Sequence, residues 1–148
     1  MKASSLGIAL IVAAAVGCSD SGSSTGPTAP SDFVGDWLAS SWVLTSVANT
    51  SQSADFIALG MALSITFTET TYSGTVNMDG GVVDTFSGTY TISGSQLILN
   101  ETGETELDTM TYSLSGNAMT LSGDDEAYDF DQDGQDDPAT FTMVLAKQ

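Results

Sequence analysis

The chain has 148 residues, 41% hydrophobic and 14% charged, and its 19 acids against 2 basic residues give a formal net charge of −17 with no histidine. That balance excludes nucleic-acid binding, because phosphate contacts need lysine or arginine, and it disfavours flat docking on an anionic lipid surface. The lack of histidine removes Ser-His-Asp and Cys-His catalysis and every histidine-based zinc site.

In chain order, Lys2 precedes an apolar run from Leu6 to Val16, and Ala15-Val16-Gly17 sets small residues before Cys18, the sole cysteine. This is the layout of a bacterial lipoprotein signal peptide over 1–17 with Cys18 as the acylated residue. The apolar run is far short of the roughly 20 residues a membrane-spanning helix needs. Residues 18–31 carry SDSGSSTGPTAPS after the cysteine. That composition buries too little surface to fold and makes a flexible linker. Acyl chains contribute about 0.8 kcal/mol per buried CH₂, so several of them hold a domain firmly on a membrane. Ser19, in the place of an aspartate, directs such a protein to the outer membrane. The expected location is therefore extracytoplasmic and lipid-anchored. With Cys18 acylated, no disulfide stabilises the rest.

Residues 32–148 suffice for one domain. Apolar and hydroxyl residues alternate with period two, as in Leu63-Ser64-Ile65-Thr66-Phe67, in Phe86 to Ile92, in Met110-Thr111-Tyr112-Ser113-Leu114 and in Phe141 to Leu145. Alternation of this kind marks half-buried antiparallel strands. Turn signals fall at Asp79-Gly80-Gly81, Ser93-Gly94-Ser95 and Ser115-Gly116-Asn117. The predicted strands lie near 36–48, 61–69, 71–78, 82–92, 96–100, 105–115, 118–123 or a little beyond, and 138–147. Asp55 to Leu59 forms a short helical turn before Gly60. One unit repeats: Thr89 to Leu99 matches Thr111 to Leu121, each a strand, a tight turn and a strand. Successive hairpins make a meander, and a meander with one apolar face covers it by closing on itself. The expected fold is all-β, an up-and-down antiparallel barrel of about eight strands, with an open sandwich as the alternative.

Val34-Gly35-Asp36-Trp37 resembles the Gly-x-Trp opening of lipocalins. The segments SGTYTISGSQLIL (87–99) and TYSLSGNAMTL (111–121) are similar to the middle hairpins of the small lipocalin-like domains of bacterial lipoproteins. The resemblance covers 33–148. It implies that Gly35 and Trp37 close the barrel, with Trp42 as a rival for the tryptophan's role, and that Lys147 packs over Trp37 as the base from the last strand. It also implies a small apolar ligand in the interior. The alternative is a structural or surface-interaction protein whose barrel is filled by its own side chains, among them Leu63, Phe67, Tyr72, Tyr90, Phe141 and Leu145. Gly74 and Gly88, at inward positions, would open a little space.

The densest chemistry is Asp124 to Asp137, with eight acids. Within it Asp129-Phe130-Asp131-Gln132-Asp133-Gly134 matches the DxDxDG core of EF-hand-like calcium loops. Alternate carboxylates converge there, and the glycine permits the sharp turn. The candidate ligands are Asp129, Asp131, Asp133, the Gln135 carbonyl and Asp137. Position 12 holds Thr140 where an EF-hand has glutamate, so a further ligand must come from Asp136, Asp124, Asp125 or Glu126. Binding in the range of extracellular modules, about 10⁻⁴ to 10⁻³ M, is the expectation, with a structural role for Ca²⁺. The alternative is a solvated acidic hairpin loop. Glu69, Asp84 and Asp108 lie in or beside strands and are expected on the solvent surface, which leaves no acid-base pair and predicts a non-enzyme.

Overall fold

A computed structural model describes residues 30–148; the predicted leader, Cys18 and nearly all of the linker lie outside the described residues. Nine strands follow in order: β1 (Gly35–Ser46), β2 (Ser53–Asp55), β3 (Met61–Phe67), β4 (Thr71–Met78), β5 (Gly81–Ser93), β6 (Gln96–Glu101), β7 (Asp108–Ser115), β8 (Ala118–Tyr128) and β9 (Asp137–Lys147). They pair in one antiparallel sheet in the order β2-β1-β3-β4-β5-β6-β7-β8-β9, and β1 also pairs with β9. That last ladder runs from Trp37 opposite Lys147 to Ser46 opposite Ala139 and closes the barrel. A single closed sheet rules out the sandwich. β2 pairs only with Val43 to Thr45 of β1 and lies outside the closed ring of eight.

The meander follows from alternation and turns. Along β3 the apolar residues Leu63, Ile65 and Phe67 are buried, and Ala62, Ser64 and Thr66 between them are exposed. The β4–β5 connection is Asp79-Gly80, both at positive φ (52° and 80°), the two-residue turn whose twist suits a hairpin. The predicted helical turn is present as one turn: Leu59 N–H donates to the Asp55 carbonyl at 3.0 Å and Gly60 N–H to that of Ile57 at 3.1 Å. Asp55 Oδ1 caps it, accepting from Ile57 N–H at 3.0 Å.

Trp37 and Trp42 are five positions apart, so a regular strand would point them to opposite faces. The ladder shifts register between Ala39 and Ser41, where Ser40 is the extra residue of a bulge. The shift turns Trp42, Leu44 and Ser46 inward along with Trp37 and Ala39. The interior thus holds a main core that includes Trp37, Leu63, Phe67, Leu97, Met119 and Leu145. A smaller cluster of Leu44, Phe56 and Ala139 packs beneath the β1–β3 connection.

The barrel has two unlike ends. At one lie the start of β1, the end of β9 and the β3–β4, β5–β6 and β7–β8 turns. At the other lie the β1–β3 connection, Asp79-Gly80, the β6–β7 loop and the acid loop between β8 and β9.

Candidate functional site

The first end is shut. Phe33, just before β1, is 0% exposed, and its ring meets Phe67 at 4.6 Å and both Tyr90 and Tyr112 at 5.4 Å. Trp37 is 1% exposed, and its Nε1–H donates to the Phe33 carbonyl at 2.9 Å. Lys147 Nζ lies 5.4 Å from the Trp37 ring centroid and donates to the Asp32 carbonyl at 2.9 Å. A Cβ at Gly35, which has φ of 139°, would come within 2.8 Å of Lys147 Cε, so glycine leaves that side chain its path.

From the second end the barrel opens into a cavity of about 760 Å³. Small-molecule sites range over about 300–1,000 Å³. The apolar wall comes from β3, β6, β8 and β9, through Leu63, Ile65, Leu97, Leu121 and Met143. Gly74 and Gly88 do not create this space. The Phe86 ring lies where a Gly74 side chain would stand, and a Cβ on Gly88 would overlap the Asn100 carbonyl of the neighbouring strand. Beside the cavity the β6–β7 ladder is short, pairing only Gln96–Leu99 with Asp108–Thr111.

Acids line the cavity beside these apolar groups: Asp84, Glu101, Asp108, Asp124 and Glu126. Asp84 and Asp108 are exposed, as the sequence suggests, yet they share the inward face with Phe86 and Met110 and belong to the cavity rather than to the outer surface. Tyr72, Gly88 and Glu101 lie side by side across β4, β5 and β6. Glu101 is close enough for its charge to act on Tyr72. Burial first, then the charges of Glu101 and Asp108, pushes the Tyr72 hydroxyl up to about 12, so it stays neutral. The hydroxyl is buried and has no hydrogen-bond partner. Tyr90 is also pushed up to about 12, by burial and then Glu69, but its hydroxyl donates to the Thr68 carbonyl.

Glu101 has its carboxyl raised above the usual range, first by burial and then by Asp108, Glu104 and Asp84. A raised carboxyl favours the protonated form in the folded state. This contribution to stability is therefore full below the ordinary carboxylate range and is lost as pH rises through the raised value. Glu101→Gln is expected to raise Tm at pH 7, and the gain is expected to vanish on acidification below about pH 4. Thermal melts of both proteins across that range check it.

The acid loop is built on aromatic packing. Phe130 contacts Tyr128 with ring centroids 5.0 Å apart, and Tyr128 meets Phe56 at 5.6 Å, which ties the loop to the smaller core. Gln132 at φ 62° and Gly134 at φ 91° turn the chain sharply. Asp129, Asp131 and Asp133 each bring a carboxylate oxygen within 4.8 Å of the others, an arrangement that can hold a metal ion. Loop N–H groups also bond them: Gly134 N–H donates to Asp129 Oδ2 at 2.9 Å, Asp133 N–H to Asp129 Oδ1 at 3.1 Å and Gln135 N–H to Asp133 Oδ1 at 2.8 Å. Asp137 is not in this group; it begins β9 opposite Tyr128.

Three contributors lay outside the sequence expectations: Phe33, Glu101 and the Tyr72 hydroxyl. Glu101 follows Leu97 and Leu99 at the inward period, which is the signal that would have found it. Phe33-Val34 is an apolar pair between the polar linker and Gly35, a weaker signal.

Among curated proteins, none matches this chain. Of solved structures, the crystal structure of Rv2717c from M. tuberculosis is similar at 16% identity and a TM-score of 0.43, over 80% of this chain and 94% of that one. The family model described as a lipocalin-like domain matches residues 33–121, from the plug at Phe33 to the cavity wall at Leu121. With a closed eight-stranded meander around an internal cavity, this chain belongs to the lipocalin-like domain family.

Proposed function

We propose that this chain is a membrane-tethered, non-catalytic binding protein that carries a small apolar molecule inside its barrel. The supporting observation is the cavity of about 760 Å³, walled by leucine, isoleucine and methionine side chains and open at one end. A barrel packed solid by its own residues would leave no such space. Titration with the neutral fluorophore N-phenyl-1-naphthylamine is expected to saturate at one molecule per chain. Leu99→Trp, which places a large ring in the cavity, is expected to weaken that binding about tenfold or more, equivalent to about 1.4 kcal/mol. No saturable binding to the unaltered protein would overturn the reading.

The tether in this proposal is the acylated Cys18 followed by the Ser/Gly-rich linker, with the outer membrane as the site of attachment. Cys18→Ser is expected to move the protein from the membrane fraction to the soluble fraction of its host.

The same proposal assigns calcium to the acid loop, with the clustered Asp129, Asp131 and Asp133 as ligands, and has the Gln135 carbonyl and Asp137, which begins β9 outside that cluster, close in once the ion is bound. Its role is structural. For a Kd near 10⁻⁴ M, ~1 mM calcium adds roughly 1.4 kcal/mol by linkage. Tm is therefore expected to rise between EDTA and calcium, and Asp131→Asn is expected to abolish the rise.

A further inference from the structure

Within the binding role proposed above, on which this inference rests, the cavity's polar groups restrict what it accepts. Tyr72 lines the cavity and is 3% exposed, and its buried hydroxyl has no hydrogen-bond partner. A buried polar group left unpaired is unfavourable, and a ligand that pairs it gains accordingly. Asp84, Glu101 and Asp108 line the same cavity, and the charges of Glu101 and Asp108 act on Tyr72. Asp124 lines the same space.

No base faces these acids among the described residues. Lys147, the one base there, lies at the shut end, held by the Asp32 carbonyl and the Trp37 ring. An anionic head group such as a fatty carboxylate would therefore enter a field of its own sign. A metal ion does not fit either. Among the described residues, only Asp129, Asp131 and Asp133 bring three carboxylates within 4.8 Å of one another, so the cavity acids are too widely spaced to cage one small ion. They suit a positive charge carried on a larger group.

We propose that the barrel takes a cationic amphiphile, its apolar body among Leu63, Leu97, Leu121 and Met143 and its ammonium group among Asp84, Glu101 and Asp108, donating a hydrogen bond to the Tyr72 hydroxyl. The depth of the apolar wall sets the orientation, tail inward and ammonium towards the acids. Partial burial strengthens the attraction relative to the same charges on an open surface.

Decylammonium, decanol and decanoate share one tail and differ in head charge. Calorimetric titration of the full chain carrying Cys18→Ser, which cannot be acylated, is done below their micellisation limits. Decylammonium is expected to bind about tenfold tighter than decanol, with decanoate weakest. The double variant Glu101→Gln, Asp108→Asn is expected to remove the preference, with decylammonium binding no tighter than decanol to that variant. The double variant Asp36→Asn, Glu69→Gln, at the shut end, controls for the overall negative charge and is expected to keep the preference. Tyr72→Phe separates binding from folding: removing the unpaired hydroxyl is expected to raise the Tm of the free protein while weakening decylammonium. Equal affinity for all three probes, or equal loss of preference in the control variant, overturns the cationic assignment and leaves the apolar-binding reading standing. Binding of none overturns both.

Discussion

Replacing Trp37 with alanine is expected to cost about 3–5 kcal/mol, the range for large aromatic truncations in a core. The side chain is buried beneath Lys147 at the shut end, and its Nε1–H satisfies the Phe33 carbonyl. Alanine leaves a cavity, an orphaned carbonyl and a lysine that has lost the ring below it. For a domain of this size the fall in Tm is expected to exceed about 10 °C. Thermal and urea melts measure it, and Trp37→Phe, which refills most of the volume without the N–H, is expected to recover more than half of the loss. A loss of under about 1 kcal/mol for the alanine variant would show that the barrel does not depend on this closure.

Phe33→Ala is expected to be nearly as damaging, at about 3–5 kcal/mol. Its ring contacts Phe67, Tyr90 and Tyr112, which come from three different strands. Alanine would unstopper the shut end as well as destabilise it, so the fluorophore should exchange faster in this variant than in the intact protein. Trp37 Nε1–H donates to the Phe33 backbone carbonyl, which the Phe33 ring holds in place by its packing, so the two losses are expected not to add. The double variant should fall short of the sum by about 0.5–3 kcal/mol, the range for groups in direct contact. Chemical denaturation of the two single variants and the double one gives that coupling energy.

Most of the barrel was legible because its strands alternate cleanly and its turns carry glycine. Leu63-Ser64-Ile65-Thr66-Phe67 has one reading as a half-buried strand, and burial in β3 follows it residue by residue. Asp79-Gly80 stops β4 and starts β5 within two residues. What escaped depends on partners distant in sequence. The bulge at Ser40 exists only relative to β9, and nothing in Ala39-Ser40-Ser41 distinguishes it from regular strand. β2 is three residues with no alternation of their own, held by backbone bonds to β1. Asp84 and Asp108 looked like solvent-facing charges because charge on a strand normally means solvent. In an open barrel the inward face also meets water near the mouth, so period and polarity give opposite answers there, and period prevails. The acid loop was legible as a cluster from spacing alone. How far its ring of ligands closes was not, because Asp137 belongs to the ladder with Tyr128.

The chain enters the barrel at the plugged end, since Phe33 and the first residues of β1 lie there. The lipid tether proposed above would therefore grip the vessel by its base and leave the mouth turned outward. Cargo would not slip in sideways from the leaflet that holds the anchor. It would be met in the aqueous space beyond, or handed across from a second carrier facing the rim, and the reach of the tether would decide which meetings occur.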